Sequence, residues 1–493
     1  MDFLKKIKNS NEAGKASIAY TICNILQKSI SFLTLPLFTR LLTKEQYGQY
    51  SIYATWSAIF SILITLNLAY GSFDKAMIEY EDDKDGYASS LHGIVFILTI
   101  VFIGIYLPLS KWINSFISLP TPIILVMIGE IVCNFAIQIW CGKQKFAYKW
   151  KSVVFVTLLL SIISPIVALL LVINTQEKGY SRIYGYALVT ILIGLFFIVY
   201  NIIRGKKIFS KKYWSYALSY NIVLLPYYFS QMIFNQSDRI MIEKMTSIEK
   251  SGVYSVAYSF ALILTFVVNA INSAYVPWMY RKIKNKDKKN SVNISLLISV
   301  IIGTLISGII WIAPEVIKIM AGDDYLEAIY VIPPIALSLI LLLYSQFYIN
   351  IEFYYGMKFR MVIASIGAAA INIGLNYWLI PIYGYYAAGY TTLISYIVFA
   401  LSNYSCVHRL LNKNGELKGF YNNKYLIILF ILFGALSYVG VLLYGYWIVR
   451  YSIIVLVILA LVILFIIYRN KIKDLFEKKS ISKVEVENNE NSR

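Results

Sequence analysis

KASIAYTICNILQKSISFLTLPLFTR, residues 15–40, decides how the chain reads. The stretch can cross a bilayer, since about 20 mostly apolar residues suffice. Its one internal charge, Lys28, sits near the middle, where burial in hydrocarbon costs roughly 2.5–3.5 kcal/mol. At helical spacing Ser17, Thr21, Asn24, Lys28 and Ser31 form one stripe, while Ile18, Ile22, Ile25, Leu26, Ile30 and Leu33 lie off it. A helix with one wet and one greasy side lines a water-filled space inside a membrane protein.

Working outward, the composition agrees. Of 493 residues 59% are hydrophobic and the mean hydropathy is +0.65, which excludes an ordinary soluble protein. Fourteen spans are expected, at 15–38, 48–71, 90–110, 121–141, 152–173, 182–203, 218–238, 253–277, 292–312, 326–349, 361–380, 385–406, 424–444 and 447–468. With the N-terminus placed in the cytoplasm, 34 of the 45 Lys and Arg fall in inner segments and ten in outer loops, with Lys28 inside a span. That asymmetry follows the positive-inside rule and puts both termini in the cytoplasm. The net charge of +19 therefore reads as topology and contact with anionic lipid, not as nucleic-acid binding. Met1–Gly14 reads as an amphipathic lead-in and Ser210–Tyr216 as an interfacial helix.

The chain repeats itself. TKEQYGQYS (43–51) matches SIEKSGVYS (247–255) at Glu45/Glu249, Gly48/Gly252, Tyr50/Tyr254 and Ser51/Ser255, and Gly185-Tyr186 matches Gly389-Tyr390, each at an offset of 204 residues. The expected fold is thus an all-α polytopic membrane protein. It has two six-helix lobes, 1–205 and 206–408, related by a pseudo-two-fold along the membrane normal. Two further spans (409–470) and a disordered cytoplasmic tail (471–493) follow.

Enzyme chemistry is hard to assemble. The only histidines are His92 and His408, and Cys23, Cys133, Cys141 and Cys406 have neither disulfide nor metal-ligand spacing. No phosphate-binding G-x-x-x-x-G-K-[ST] loop occurs. No catalytic residue, metal or cofactor is expected. The functional groups sit in the spans instead. Glu130, Asn134 and Gln138 share a face of the fourth, and Tyr227, Gln231, Asn235 and Asp238 share one of the seventh, with Arg239 next along. The eighth offers Tyr254, Tyr258, Thr265 and Asn269, and the eleventh Asn372 and Asn376. Amides and tyrosines suit a hydroxyl-rich sugar because they both donate and accept, and a cation suits a phosphate. On that chemistry Lys28, Asn24, Thr21 and Ser31 are substrate-binding candidates from the first span. Gln231, Asn235, Tyr258 and Asn269 are the candidates from the second lobe. Glu130 and Asp238 are candidates for coupling, and Arg239 for the anionic head. Three plainer readings stand beside these: a Lys28–Glu130 salt bridge, an interfacial Asp238–Arg239 pair, and tyrosines that only pack helices.

LPLFTRLLTKEQYGQYSIY (35–53), FNQSDRIMIEKMTSIEKSGVYSVAYSF (234–260) and IPIYGYYAAGYTTLISY (380–396) resemble the polysaccharide-transport flippases. These are the Wzx-type branch of the multidrug/oligosaccharidyl-lipid/polysaccharide exporter superfamily. The resemblance covers essentially the whole chain. It implies a central cavity that alternates between the two faces of the bacterial cytoplasmic membrane. The implied cargo is an undecaprenyl-diphosphate-linked glycan for capsule, exopolysaccharide or O-antigen. Membrane lipid and other polysaccharide-assembly membrane proteins are the implied partners. A multidrug or cation antiporter of the same fold, or a membrane glycosyltransferase or polymerase, are the alternatives.

Overall fold

A computed structural model describes residues 12–285, 287–413 and 419–456 of the chain. The amphipathic lead-in, most of the last span and the tail expected from the sequence lie largely or wholly outside the described residues, as do the side chains of Ser17 and Tyr227. The described part is helical. It runs α1 (Glu12–Leu41), α2 (Lys44–Thr65), α3 (Ser72–Glu79), α4 (Lys84–Tyr106), α5 (Ser110–Ile117), α6 (Thr121–Phe146), α7 (Trp150–Ile173) and α8 (Lys178–Gly205). Then follow α9 (Lys211–Met245), α10 (Ile248–Lys284), α11 (Lys288–Trp311), α12 (Ala313–Ala321), a 3-10 turn (Asp323–Tyr330), α13 (Ile332–Tyr354), α14 (Lys358–Tyr383), α15 (Tyr386–Lys413) and α16 (Asn423–Leu442). An apolar α17 (Trp447–Leu456) closes the described chain.

Among the described residues nine helices are long and apolar enough to cross a membrane: α4, α6, α7, α8, α10, α11, α13, α14 and α16. Four more, α1, α2, α9 and α15, are 30, 22, 35 and 28 residues long but more polar. At 1.5 Å per residue even the shortest reaches about 33 Å, enough for a bilayer core. Their lower hydropathy has a physical reason. Three of them, α1, α9 and α15, put polar side chains into the internal spaces described below.

Packing repeats as the sequence does. In the first half α8 packs on α6 and α7, α1 on α7, and α2 on α6. In the second half α15 packs on α13 and α14, α9 on α14, and α10 on α13, the same scheme in the same order. The last elements depart from it. Helix α16 docks on α11, where Trp311 donates its indole N–H to the Leu436 carbonyl at 2.9 Å and Gly303 faces the Phe433 ring.

The segment Ser210–Tyr216 is not a separate interfacial helix but the first turns of α9. Ser210 caps that helix, and Tyr213 and Trp214 tie it to the first half. Tyr213 donates to Asp83 at 2.5 Å and Trp214 to the Ser90 carbonyl at 2.9 Å. The two largest buried clusters are centred on α2, α4 and α6 and on α10, α13 and α15.

Candidate functional site

The two halves meet where α2 and α10 begin. Both starts are capped by a hydroxyl at equivalent positions: Thr43 accepts from the Gln46 N–H at 3.2 Å, and Ser247 from the Lys250 N–H at 3.2 Å. One turn further on, Gly48 and Gly252 let the helices touch backbone to backbone. A Cβ on Gly48 would stand 2.1 Å from the Ile248 carbonyl oxygen, and one on Gly252 would stand 2.5 Å from that of Lys44. Ser51 and Ser255, also 204 residues apart, hydrogen-bond to each other. Residues that are copies of one another touch only where the pseudo-two-fold axis passes between them. Charges brace the contact from the second half, as Glu327 accepts from Lys250 at 2.7 Å and from Lys44 at 3.4 Å. Burial alone would raise the Glu327 carboxyl, but these two ammonium groups outweigh it and hold it below the usual glutamate range.

Away from this closed end each half opens a polar cleft. The first, about 270 Å³, lies among α1, α6, α7 and α8 and is lined by Ser31, Glu130, Asn134, Ser161, Ser164 and Thr190, among others. Gln27 donates to Ser161 at 3.1 Å at its edge. Tyr53 donates to the Glu130 carboxylate at 2.5 Å, and no ion pair joins Glu130 to Lys28 among the described residues. The salt-bridge reading of those two is thus corrected. They leave α6 and α1 toward different neighbours.

The second cleft, about 210 Å³, gathers Gln231, Asn235, Tyr258 and Asn269, the four candidates expected in the second lobe. Gln231 donates to Ser365 at 2.5 Å, repeating the Gln27–Ser161 bond 204 residues later. Gln346 donates to the Asn269 side-chain oxygen at 3.0 Å.

A third space, about 430 Å³, lies between the halves. Ile62 and Asn67 bound it on the first-half side, and Gln231, Asn235, Gln236, Arg239 and Tyr258 on the other. Arg239 is fixed by bonds to the side chain of Gln236 (2.7 Å), the hydroxyl of Ser255 (3.1 Å) and the carbonyl of Asn235 (3.1 Å), with Tyr258 under the guanidinium at 4.4 Å. Lys28 is exposed and reaches across from α1 to α10, with Nζ 4.8 Å from the Phe266 ring centre. Thr21 and Asn24 are exposed on the same stripe of α1.

Asp238 is not an interfacial partner of Arg239. It is buried and accepts from Tyr254 (2.6 Å), Thr392 (2.7 Å) and Asn376 (2.6 Å), so three helices converge on one carboxylate. Adjacent residues on a helix diverge by about 100°, and Arg239 turns toward the central space instead.

Sequence reasoning missed the lone hydroxyls Ser161, Ser164, Thr190, Ser338 and Thr392, which no periodicity marks. Nor did it single out Arg182, at the edge of the sixth span. The structure buries that guanidinium among Phe38, Tyr47 and Tyr50, at 4.2, 5.0 and 3.7 Å from the three ring centres.

Comparison with known proteins fits this geometry. The sequence profile of the polysaccharide biosynthesis protein family matches residues 13–283. A protein of the Lsg locus of Haemophilus influenzae is 25% identical over 357 residues, 69% of this chain and 85% of that one. An uncharacterized membrane protein of the same organism is 26% identical over 73% of this chain and 88% of its own length. In fold, the chain resembles the lipid II flippase MurJ in an inward closed conformation, with a TM-score of 0.68 and 15% identity. That match covers 92% of this chain and all of the other. It also resembles an inward-facing multidrug resistance MATE transporter, with a TM-score of 0.61 and 12% identity over 81% of this chain and 98% of that one.

Proposed function

Because this chain belongs to the polysaccharide biosynthesis protein family, we propose that it is a secondary flippase working by alternating access. It carries an undecaprenyl-diphosphate-linked oligosaccharide from the inner to the outer leaflet of the bacterial cytoplasmic membrane. The observation that carries this reading is the space between the halves, closed at one end by the α2–α10 contact. Gln231, Asn235, Arg239 and Tyr258 line it, and the Lys28 ammonium spans from α1 to Phe266 on α10.

Lys28 holds the diphosphate. Its charge rests on an aromatic face, an interaction worth about 0.5–2 kcal/mol, which an approaching anion readily outbids. Arg239, already oriented by three bonds, is the second cation for the head. The amide-rich cleft of the second half, with Gln231, Asn235, Tyr258 and Asn269, receives sugar hydroxyls. Ser31 extends the polar lining on the first-half side, and Asn24 and Thr21 continue the Lys28 stripe. The lipid tail stays in the bilayer. Movement outward is favoured by the membrane potential, at about 2.3 kcal/mol per negative charge per 100 mV. Glu130 and Asp238 are the coupling carboxylates, one in each half, each able to exchange a proton or cation as its surroundings change access.

The test is Lys28→Ala beside Lys28→Arg in a strain whose surface polysaccharide depends on this gene. Alanine should abolish surface polysaccharide at unchanged protein level, and arginine should restore part of it. Full output from Lys28→Ala would remove the lysine from the mechanism. Proton-driven drug efflux in a sensitive host would favour the antiporter alternative instead.

A further inference from the structure

The closed end is held by more than the α2–α10 contact. The last residue but one of α1, Arg40, donates its guanidinium Nη2 to the carbonyl of Ile319, in the last turn of α12, at 3.0 Å. Near the end of α9, Lys244 donates its Nζ to the carbonyl of Ser115, in the last turn of α5, at 3.3 Å, and to the Ser118 hydroxyl at 2.9 Å. These two contacts are copies of each other. Arg40 and Lys244 are 204 residues apart, and so are Ser115 and Ile319. The residues that end the two short helices, Ser118 and Gly322, share that spacing too, and both have positive φ, 58° and 85°.

Each contact also crosses between halves. Helix α1 of the first half is held by α12 of the second, and α9 of the second by α5 of the first. A neighbouring bond reinforces each: Thr39 donates to the Met320 carbonyl at 2.7 Å, and Ser118 to the Glu243 carboxylate at 2.6 Å.

The chemistry is that of a helix C-terminus. The last carbonyls of α5 and α12 have no partner within their own helix and carry the negative end of its dipole, so a cation is their natural complement. Each of these cations belongs to the opposite half, so the bond exists only while the halves are together at this end.

We propose that Arg40 and Lys244 are a crossed pair of clasps that sets the equilibrium between the closed and open forms of this end. Each is a positioning residue acting on the gate and not on cargo. Opening breaks both at once, because a parting of the halves that is symmetric about the pseudo-two-fold axis between Ser51 and Ser255 moves the two sites equally. The clasps are independent of one another. Removing one therefore weakens the closed form by its own share, and removing both multiplies the two shares. The inference rests on alternating access but not on the identity of the cargo.

The test is a spin-label distance across the closed end, between exposed Gln176→Cys in the first half and Asp324→Cys in the second. It uses full-length protein in lipid nanodiscs with Cys23, Cys133, Cys141 and Cys406 replaced by alanine. No substrate is present, so the result is independent of what the protein carries. Arg40→Gln and Lys244→Gln should each raise the longer-distance population relative to the short one by roughly 2- to 5-fold, and the double variant by roughly 4- to 25-fold. The swap Arg40→Lys with Lys244→Arg keeps a cation at both carbonyls and should retain the parental distribution. A double Gln variant that matches the parent overturns the proposal. So does a swap variant that opens as far as the double Gln variant. Should the double variant not yield monodisperse protein, the single variants and the swap carry the same decision.

Discussion

Two alanines at the axis should prop the closed end open. A Cβ on Gly48 would lie 2.1 Å from the Ile248 carbonyl oxygen, and one on Gly252 would lie 2.5 Å from the Lys44 carbonyl oxygen and 2.9 Å from the Gly48 nitrogen. Ordinary contact begins near 3.4 Å, so the helices must part by about 0.9–1.3 Å. The obstructing atoms are backbone, and no rotamer change relieves them. Overpacking of this kind costs about 1–3 kcal/mol. The penalty falls on the closed form alone, since α2 and α10 belong to different halves and each half keeps its own core. At 1.4 kcal/mol per factor of ten, the closed-to-open ratio should fall by roughly 5- to 150-fold. The assay is the rate of disulfide formation in a Ser51→Cys/Ser255→Cys protein at fixed pH and oxidant, with and without Gly48→Ala and Gly252→Ala. A control is Gly129→Ala, whose new Cβ would meet only Ile191 at an ordinary 3.8 Å and should leave the rate unchanged. If the double alanine protein cross-links as fast as its parent, the backbone contact is not what closes this end.

Asp238→Ala should destabilise the second half by about 2–5 kcal/mol, because it strands the buried donors of Tyr254, Thr392 and Asn376. Asp238→Asn should cost less, and thermal unfolding of the two purified variants decides it, with equal midpoints counting against the argument. The Glu327 brace makes a pH prediction. A carboxyl held below its ordinary value of 4.5 contributes fully above that value and loses its contribution as pH falls through the lower folded one. The Gln176–Asp324 distance distribution should therefore be constant from about pH 5 to 8 and shift toward the open form only below about 4.5. In Glu327→Gln that acid-dependent step should be absent.

Much of this architecture is legible in the sequence because it is written twice. The 204-residue offset visible in TKEQYGQYS and SIEKSGVYS is the same offset that relates Gln27–Ser161 to Gln231–Ser365 and Ser51 to Ser255 in space. Lys28 stands out because one charge in an apolar run has a cost that composition alone reveals. The clefts are less legible. A hydroxyl such as Ser161 or Thr392 in a greasy helix costs little wherever it points, so no pattern shows that it faces its opposite number. The burial of Arg182 depends on α1 and α2 folding over the start of α8, which is a tertiary fact. Asp238 and Arg239 invite pairing because they are neighbours in the chain, yet a helix sends neighbours in different directions. Mean hydropathy understates α1, α2, α9 and α15, which the sequence still shows as spans, because it averages both faces of a helix.

The scaffold is symmetric, but its chemistry is not. The position 204 residues beyond Glu130 is Pro334, the position beyond Lys28 is Met232, and the one before Asp238 is Thr34. Each half thus carries a carboxylate in its interior, but from a different helix and in different company: Glu130 on α6 bound to one tyrosine, Asp238 on α9 bound to three donors. A symmetric frame lets the two halves make equivalent motions as an end opens or closes. An asymmetric filling would give the two states unequal affinity for the proposed anionic, sugar-bearing cargo. Direction requires that difference, because a ligand that binds both states alike shifts nothing. The repeated residues lie at the axis, the caps, the clasps and the Gln27–Ser161 and Gln231–Ser365 pairs of the clefts, whereas the charged residues proposed to meet cargo or coupling ion, Lys28, Glu130, Asp238 and Arg239, have no charged counterpart in the other half.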